Sequence, residues 1–236
     1  MSSPGKLEPV PRRSTAALIA DQLRSAIMYG SLAPGDQLGE TDLASQLGVS
    51  RGPLREAMQR LVQEGLLRSE RHRGLFVREL APEDVRDIYI ARLAIERAAC
   101  KLIMRGNRGE ALARLTAALQ ELVSAAQTRD RVAMSDADQT FHQTLVSCSG
   151  NSRLERMTQT LLVETRMCLT VMQDAYPEPN ELVEEHQKLL DAITEGDEEL
   201  LLHLIESHML DAVDRINKQN GDRKSTRLNS SHTQKS

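Results

Sequence analysis

The sequence predicts a mainly α protein, with an N-terminal winged helix-turn-helix followed by an all-helical bundle. Three observations predict it. Residues 39–77 run helix, glycine turn, helix and glycine-tipped basic hairpin without a break. From Ala81 onward, apolar residues recur at helical spacing in long segments separated by short, breaker-rich joints. The 236 residues suffice for two modest domains, each with its own core.

Taken in order, residues 1–13 are Pro-rich and polar and read as a mobile arm. A domain over 14–78 follows. Ser14 or Thr15 caps a helix to about Tyr29, with Leu18, Ile19, Leu23, Ile27 and Met28 near helical spacing. Gly30 ends it, and SLAPGDQL is a turn-rich connector. A second helix covers about Glu40–Gln46, and Gly48 supplies the turn. Gly52 is read as the N-cap of the third helix, with Pro53 at its first position, where a missing N–H costs nothing. Leu54, Met58, Leu61 and Val62 form its buried stripe, and Gly65 closes it. Leu66-Leu67 opens a hairpin that turns around Arg71–Gly74 and returns through Leu75-Phe76-Val77.

A second domain spans 81–218, with helices over about 82–105, 108–128, 130–147, 152–175, 180–195 and 197–218. Short joints favour antiparallel neighbours, hence a bundle. The last stretch, 222–236, lacks an apolar period. Its DRKSTRLNSSH resembles a translated sequencing adapter, so this tail is expected to be non-functional read-through.

Composition narrows the function. The net charge of −4 hides an asymmetry: residues 1–78 carry 11 Lys+Arg against 8 Asp+Glu, and residues 79–221 carry 15 against 25. A basic front on an acidic body suits a nucleic-acid module joined to a body that is not itself such a surface. Aromatic content of 2% with no Trp argues against stacking on single strands. No apolar run approaches 18 residues, the N-terminus lacks a secretory stretch, and three scattered cysteines form no CxxC pair. A cytoplasmic, nucleoid-associated protein with reduced thiols and no membrane partner is expected.

A helix in the major groove offers base edges only a few side chains, most from its first turns. Arg51 and Arg55 stand there four residues apart, and each guanidinium forks onto guanine O6 and N7. Ser50, Gln59 and Arg60 reach phosphates or further bases, while Arg71, His72 and Arg73 at the wing tip meet backbone or minor groove. Gly74 permits the sharp turn of that hairpin. The expected partner is double-stranded DNA.

LGETDLASQLGVSRGPLREAMQRLVQEGLL followed by RGLFV closely resembles the DNA-binding domain of the GntR superfamily of bacterial regulators. Two departures stand out. Gly52 occupies the place of a common Thr, and Thr41 that of a DNA-contacting Arg in some members.

In the second domain, polar residues fall on the apolar stripes. Asp138 and His142 share a face with Met134 and Leu145. His186 lies with Leu182, Leu189, Leu190 and Ile193, and His208 with Leu201, Leu204, Ile205 and Ala212. One carboxylate and three imidazoles thus point inward from three helices, a plausible bundle-core site for a divalent metal such as Zn²⁺ or Ni²⁺. His203 falls on another face and reads as solvated. Arg92 shares the stripe of Val85, Ile88, Ile95 and Ala99, and a cation there needs a partner. That partner is either Glu96, one turn on, or the carboxylate of a small effector.

The words IYIARLAIE, DQTFH followed by SGN, EEHQKLLDAI and SHML resemble the FCD effector domain of the FadR-type branch of that superfamily. The resemblance implies that Asp138, His142, His186 and His208 bind a metal beside an effector pocket whose Arg is Arg92. Asn151, in the SGN turn, reads as structural capping. The leading expectation is a homodimeric transcription regulator, not an enzyme, that binds a palindromic operator and answers to a small organic acid. The alternatives are a metal-dependent hydrolase with a DNA-targeting domain and a direct metal sensor.

Overall fold

The computed structural model describes residues 14–171 and 178–232, with 216–232 described as backbone. By its contacts the chain divides into two compact units: one built on Ser31–Arg78 with the preceding helix, the other on Glu79 onward, with which Met28–Gly30 are grouped.

In the first unit, α1 (Thr15–Met28) leads to β1 (Gln37–Leu38), α2 (Glu40–Leu47), α3 (Arg51–Gln63), β2 (Leu67–Glu70) and β3 (Gly74–Val77). The three strands form an antiparallel sheet in the order β1-β3-β2, with Gln37 opposite Phe76 and Ser69 opposite Leu75. Its core gathers Ile19, Leu23 and Ile27 of α1, Leu54, Met58 and Leu61 of α3, and Leu66, Phe76 and Val77 of the wing. Gly48 closes α2 in the left-handed conformation (φ 62°), where a side chain would be strained.

Three local expectations need correction here. Leu18 is 54% exposed; Ala16 and Ala20 complete the buried face of α1 instead. The third helix begins at Arg51, so Ser50, with extended φ −75° and ψ 156°, is the N-cap and Gly52 lies inside the first turn. Ala57, not Val62, completes the buried stripe. As expected, Gly65 closes the helix, in the left-handed conformation (φ 76°) after the C-cap Glu64.

The second unit consists, among the described residues, of α4 (Pro82–Arg105), α5 (Arg108–Thr128), α6 (Arg131–Ser147), α7 (Ser152–Val171), α8 (Pro179–Glu195) and α9 (Glu198–His232). α4 packs against α9, α7 and α6; α5 packs against α6 and α8; and α8 packs against α9. Caps are local. Asp130 Oδ1 accepts from the N–H groups of Val132 and Ala133, Asn107 Oδ1 accepts from Glu110, and Asn151 Oδ1 accepts from Arg153 and Leu154. The main core of the bundle is built around Ile103, Leu115, Leu122, Phe141, Leu145, Leu189 and Ile193, with a smaller cluster of Ile95, Ala99 and Val146.

The seventh helix, expected to reach 175, is described to Val171; 172–175 lie outside the described residues, as do the arm 1–13 and 233–236. α9 passes its expected end near 218 and runs on to His232. The stretch beyond 218 has no proline, and its one glycine, Gly221, costs a helix only about 1 kcal/mol.

Candidate nucleic-acid interface and metal centre

α3 presents a continuous outer row. Ser50, Arg51, Arg55, Gln59 and Arg60 are all exposed, while Leu54, Ala57, Met58 and Leu61 face the core. The Ser50 hydroxyl makes no capping bond. The two leading arginines rest against the start of α2. Arg55 Nε donates to Glu40 Oε2 at 2.7 Å, and Arg51 Nη2 donates to Thr41 Oγ1 at 3.3 Å. Arg60 pairs with Glu64, which also takes a two-pronged contact from Arg24 of α1. At the wing tip His72 and Gly74 both have positive φ, 64° and 101°. Arg71, His72, Arg73 and Gly74 are exposed there. Arg73 is held by Glu70, and its guanidinium lies over the Phe76 ring at 5.2 Å.

A Cβ on Gly52 would meet nothing within 4 Å. Restoring a hydroxyl there is therefore sterically free. Gly52→Thr is expected to fold normally and to tighten duplex binding about fivefold per half-site, the worth of one added hydrogen bond of ~1 kcal/mol. Anisotropy titration against duplex DNA checks this, and no change would place position 52 away from phosphate.

In the bundle, α6, α8 and α9 bring Asp138, His142, His186 and His208 together, all buried, with one ligand atom from each within 4.8 Å of the others. His142 Nε2 faces His208 Nε2 at 3.1 Å. His186 Nε2 lies 3.2 Å and His142 Nε2 3.7 Å from Asp138 Oδ1, neither with the alignment of a hydrogen bond.

The opposite nitrogens fix the tautomers. His142 Nδ1 is 2.6 Å from Glu96 Oε2, His208 Nδ1 is 2.8 Å from Glu185 Oε2, and His186 Nδ1 is 2.8 Å from the Leu182 carbonyl. Each of these oxygens only accepts, so each Nδ1 carries the proton. That leaves the three Nε2 atoms to face Asp138. Burial disfavours a charge on His208, and the neighbouring imidazoles add to that, so its pKa falls to about 4. Burial opposes ionisation of Asp138, but His186 and the surrounding histidines outweigh it and hold the carboxyl far below the usual range. Burial likewise opposes charge on Glu96, yet His142 and Arg92 keep it ionised, below its ordinary value. Three imidazoles, each backed by a hydrogen-bonded outer partner, and a buried carboxylate between them fit a divalent cation.

Arg92, 3% exposed, meets Glu96: its Nε donates to Oε1 at 3.1 Å. Its Nη2 also lies 3.1 Å from Glu96 Oε1, its Nη1 reaches Thr165 Oγ1 at 3.4 Å, and its guanidinium lies 5.3 Å from the Tyr89 ring centre. Of the two partners considered from sequence, the internal acid is the one present. Tyr89 also walls a groove of about 340 Å³ between α4 and α9. His203 is exposed.

Sequence reasoning missed Glu185 and Arg215. Arg215 Nη1 donates to Glu185 Oε1 at 3.2 Å. The available signals were weak: Glu185 directly precedes His186 in sequence, and Arg215 stands two turns beyond His208 on the same face. Neither spacing reveals a contact that crosses from α8 to α9.

No helix among the described residues is long and apolar enough to cross a membrane. Comparison with known proteins agrees with the two-part architecture. Residues 15–77 match the family model of the bacterial regulatory proteins, gntR family, and residues 87–211 match the FCD domain. A Paenarthrobacter nicotinovorans protein, named the probable repressor of a D-xylose utilization operon, is 30% identical over 86% of this chain and 91% of its own length. The gluconate operon repressor of Bacillus licheniformis is 27% identical, over 87% of this chain and 86% of its own. A crystal structure of a Rhodococcus sp. RHA1 protein, assigned to the GntR regulators, superposes with a TM-score of 0.77 at 29% identity. It covers 87% of this chain and 99% of that one. The chain belongs to the gntR family of bacterial regulatory proteins and is a DNA-binding transcriptional regulator with an FCD domain.

Proposed function

We propose that this regulator binds a palindromic operator as a homodimer and that a small carboxylate, held beside a divalent metal ion, modulates the binding. The observation that carries the reading is the convergence of three Nε2 atoms on Asp138, set beside a buried arginine. Asp138, His142, His186 and His208 would hold the ion, and imidazole with carboxylate suits Zn²⁺ or Ni²⁺. The ion would supply a Lewis-acid anchor for the acid's oxygen. Arg92 would grip the carboxylate through its fork, with Tyr89 between it and the α4–α9 groove. That a relative is named for a gluconate operon supports an acid of this class.

On the DNA side, Arg51 and Arg55 would read base edges. Ser50, Gln59 and Arg60 would contact phosphates or flanking bases, and Arg71, His72, Arg73 and Gly74 would lie at the wing contact. Residues 14–78 would form the reading domain and 81–218 the effector and dimerisation domain, acting in the cytoplasm on the nucleoid. We take the chain for a regulator and not an enzyme, since the relatives are named repressors.

Selection from a random duplex pool, followed by titration with Zn²⁺ and a panel of small carboxylic acids, tests the proposal. A two-fold symmetric consensus whose affinity shifts with one acid class is the expected result. The absence of any sequence preference defeats it. Affinity that follows Zn²⁺ with no acid needed favours the metal-sensor reading, and turnover of an acid favours the hydrolase.

A further inference from the structure

Two relays of the same composition lead into the candidate metal centre. In the first, Glu96 accepts from Arg92 through Oε1 at 3.1 Å and from His142 Nδ1 through Oε2 at 2.6 Å. In the second, Glu185 accepts from Arg215 through Oε1 at 3.2 Å and from His208 Nδ1 through Oε2 at 2.8 Å. Each carboxylate thus gives one oxygen to a guanidinium and the other to a ligand imidazole.

Their settings differ. Arg92, Glu96 and His142 have side-chain exposures of 3%, 1% and 0%, whereas Arg215 and Glu185 are 28% and 25% exposed. Water screens the second pair, and solvent can stand in for Arg215. Nothing comparable relieves the first, so the charge on Glu96 is divided between its two neighbours. When a carboxylate engages Arg92, less of that charge is neutralised there. Glu96 then pulls harder on the His142 proton, electron density rises at Nε2, and a cation is held more tightly.

We infer that Glu96 is a positioning residue that couples Arg92 to the metal centre through His142, while the Glu185 relay sets metal affinity without that coupling. The inference rests on the metal reading above. It fixes a sign as well: an acid on Arg92 and an ion on the four ligands strengthen each other, by the same factor in both directions.

The test uses Zn²⁺ alone, in competition with a chromogenic chelator, on the full chain. Glu96→Gln is expected to lower Zn²⁺ affinity about 10–100-fold, as loss of an outer-shell partner does elsewhere. Arg92→Met, which returns the charge of Glu96 to His142, is expected to raise affinity at least about fivefold, the low end of coupling between sites. Combined with Glu96→Gln, Arg92→Met should have no further effect; combined with Glu185→Gln, its gain should persist. Equal gains on both backgrounds would mean that Arg92 acts only through space, and the inference falls.

Circular dichroism confirms folding. If Arg92→Met does not fold, imidazole ¹⁵N–¹H spectra decide: the His142 Nδ1–H signal of the zinc-loaded protein should shift in Glu96→Gln and recover in Glu96→Asp. An unmoved signal overturns the inference. A wild-type chain that takes up neither Zn²⁺ nor Ni²⁺ removes the metal reading itself; one that binds Zn²⁺ while Glu96→Gln binds it equally removes only the coupling.

Discussion

His186→Ala combined with His208→Ala is expected to abolish metal retention. The two residues supply half of the ligand set and come from different helices, α8 and α9. Structural zinc sites hold their ion with about 10–16 kcal/mol, so losing half the ligands should cost at least ~10³-fold in affinity. Plasma emission spectrometry on purified protein reads this as stoichiometry, near one ion per chain falling to none. A chelator adds a second readout. At a thousandfold excess over the dissociation constant, a bound ion stabilises the fold by about 4 kcal/mol, worth on the order of 10 °C in a chain of this size. Chelation should therefore lower the melting temperature of the wild type and leave the double variant unmoved.

The pH dependence has a definite sign. Protons compete with the ion for Nε2, so retention weakens as pH falls. Burial pushes the His208 pKa down to about 4, so protons take its Nε2 only in acid. The ion should be released as pH falls, with competition at His208 near pH 4. Unchanged metal content in the double variant would remove the site.

Much of the candidate metal centre is legible in sequence because helical periodicity determines which residues share a face. Asp138 and His142 are four apart, and His186 and His208 each sit among leucines on an apolar stripe. A buried imidazole without an obvious local partner stands out against such a stripe. Its outer partners do not stand out. Glu185 and Arg215 are polar residues on half-exposed surfaces, ordinary in any amphipathic helix, and their pairing depends on how α8 crosses α9. Glu96 was visible only as a neighbour of Arg92. Its second bond, to His142 across 46 positions, belongs to the packing of α4 on α6. The same division holds for the reading head. The exposed row on α3 follows from its spacing, whereas Glu40 and Thr41 meet the arginines only once α2 is laid across α3. The Gly-Pro pair at 52–53 imitates a cap and shifts the expected start of α3 by two residues, whereas Ser50 has the extended backbone of the actual cap.

Arg55→Ala should weaken binding to the selected operator far more than binding to random duplex. A well-placed guanidinium on a guanine edge discriminates by about 1–3 kcal/mol, and a dimer on two half-sites uses it twice. The expected loss is therefore on the order of 2–6 kcal/mol, roughly 30-fold to more than 10⁴-fold, with random-sequence affinity nearly unchanged. The ground state does not oppose this use. Arg55 is 63% exposed and its partner Glu40 is 36% exposed, and a surface pair of that kind is worth about 0–1 kcal/mol. Glu40 can thus hold the side chain extended toward the groove and yield it to a base at little cost. Salt titration separates the two roles that an arginine can play. A phosphate contact would lower specific and random binding alike and reduce the salt slope by about one counterion per site. A base contact leaves the slope in place and relaxes the sequence preference at one position of each half-site. Equal losses on operator and random duplex would move Arg55 from the base edges to the backbone and leave Arg51 as the leading reader at the start of α3.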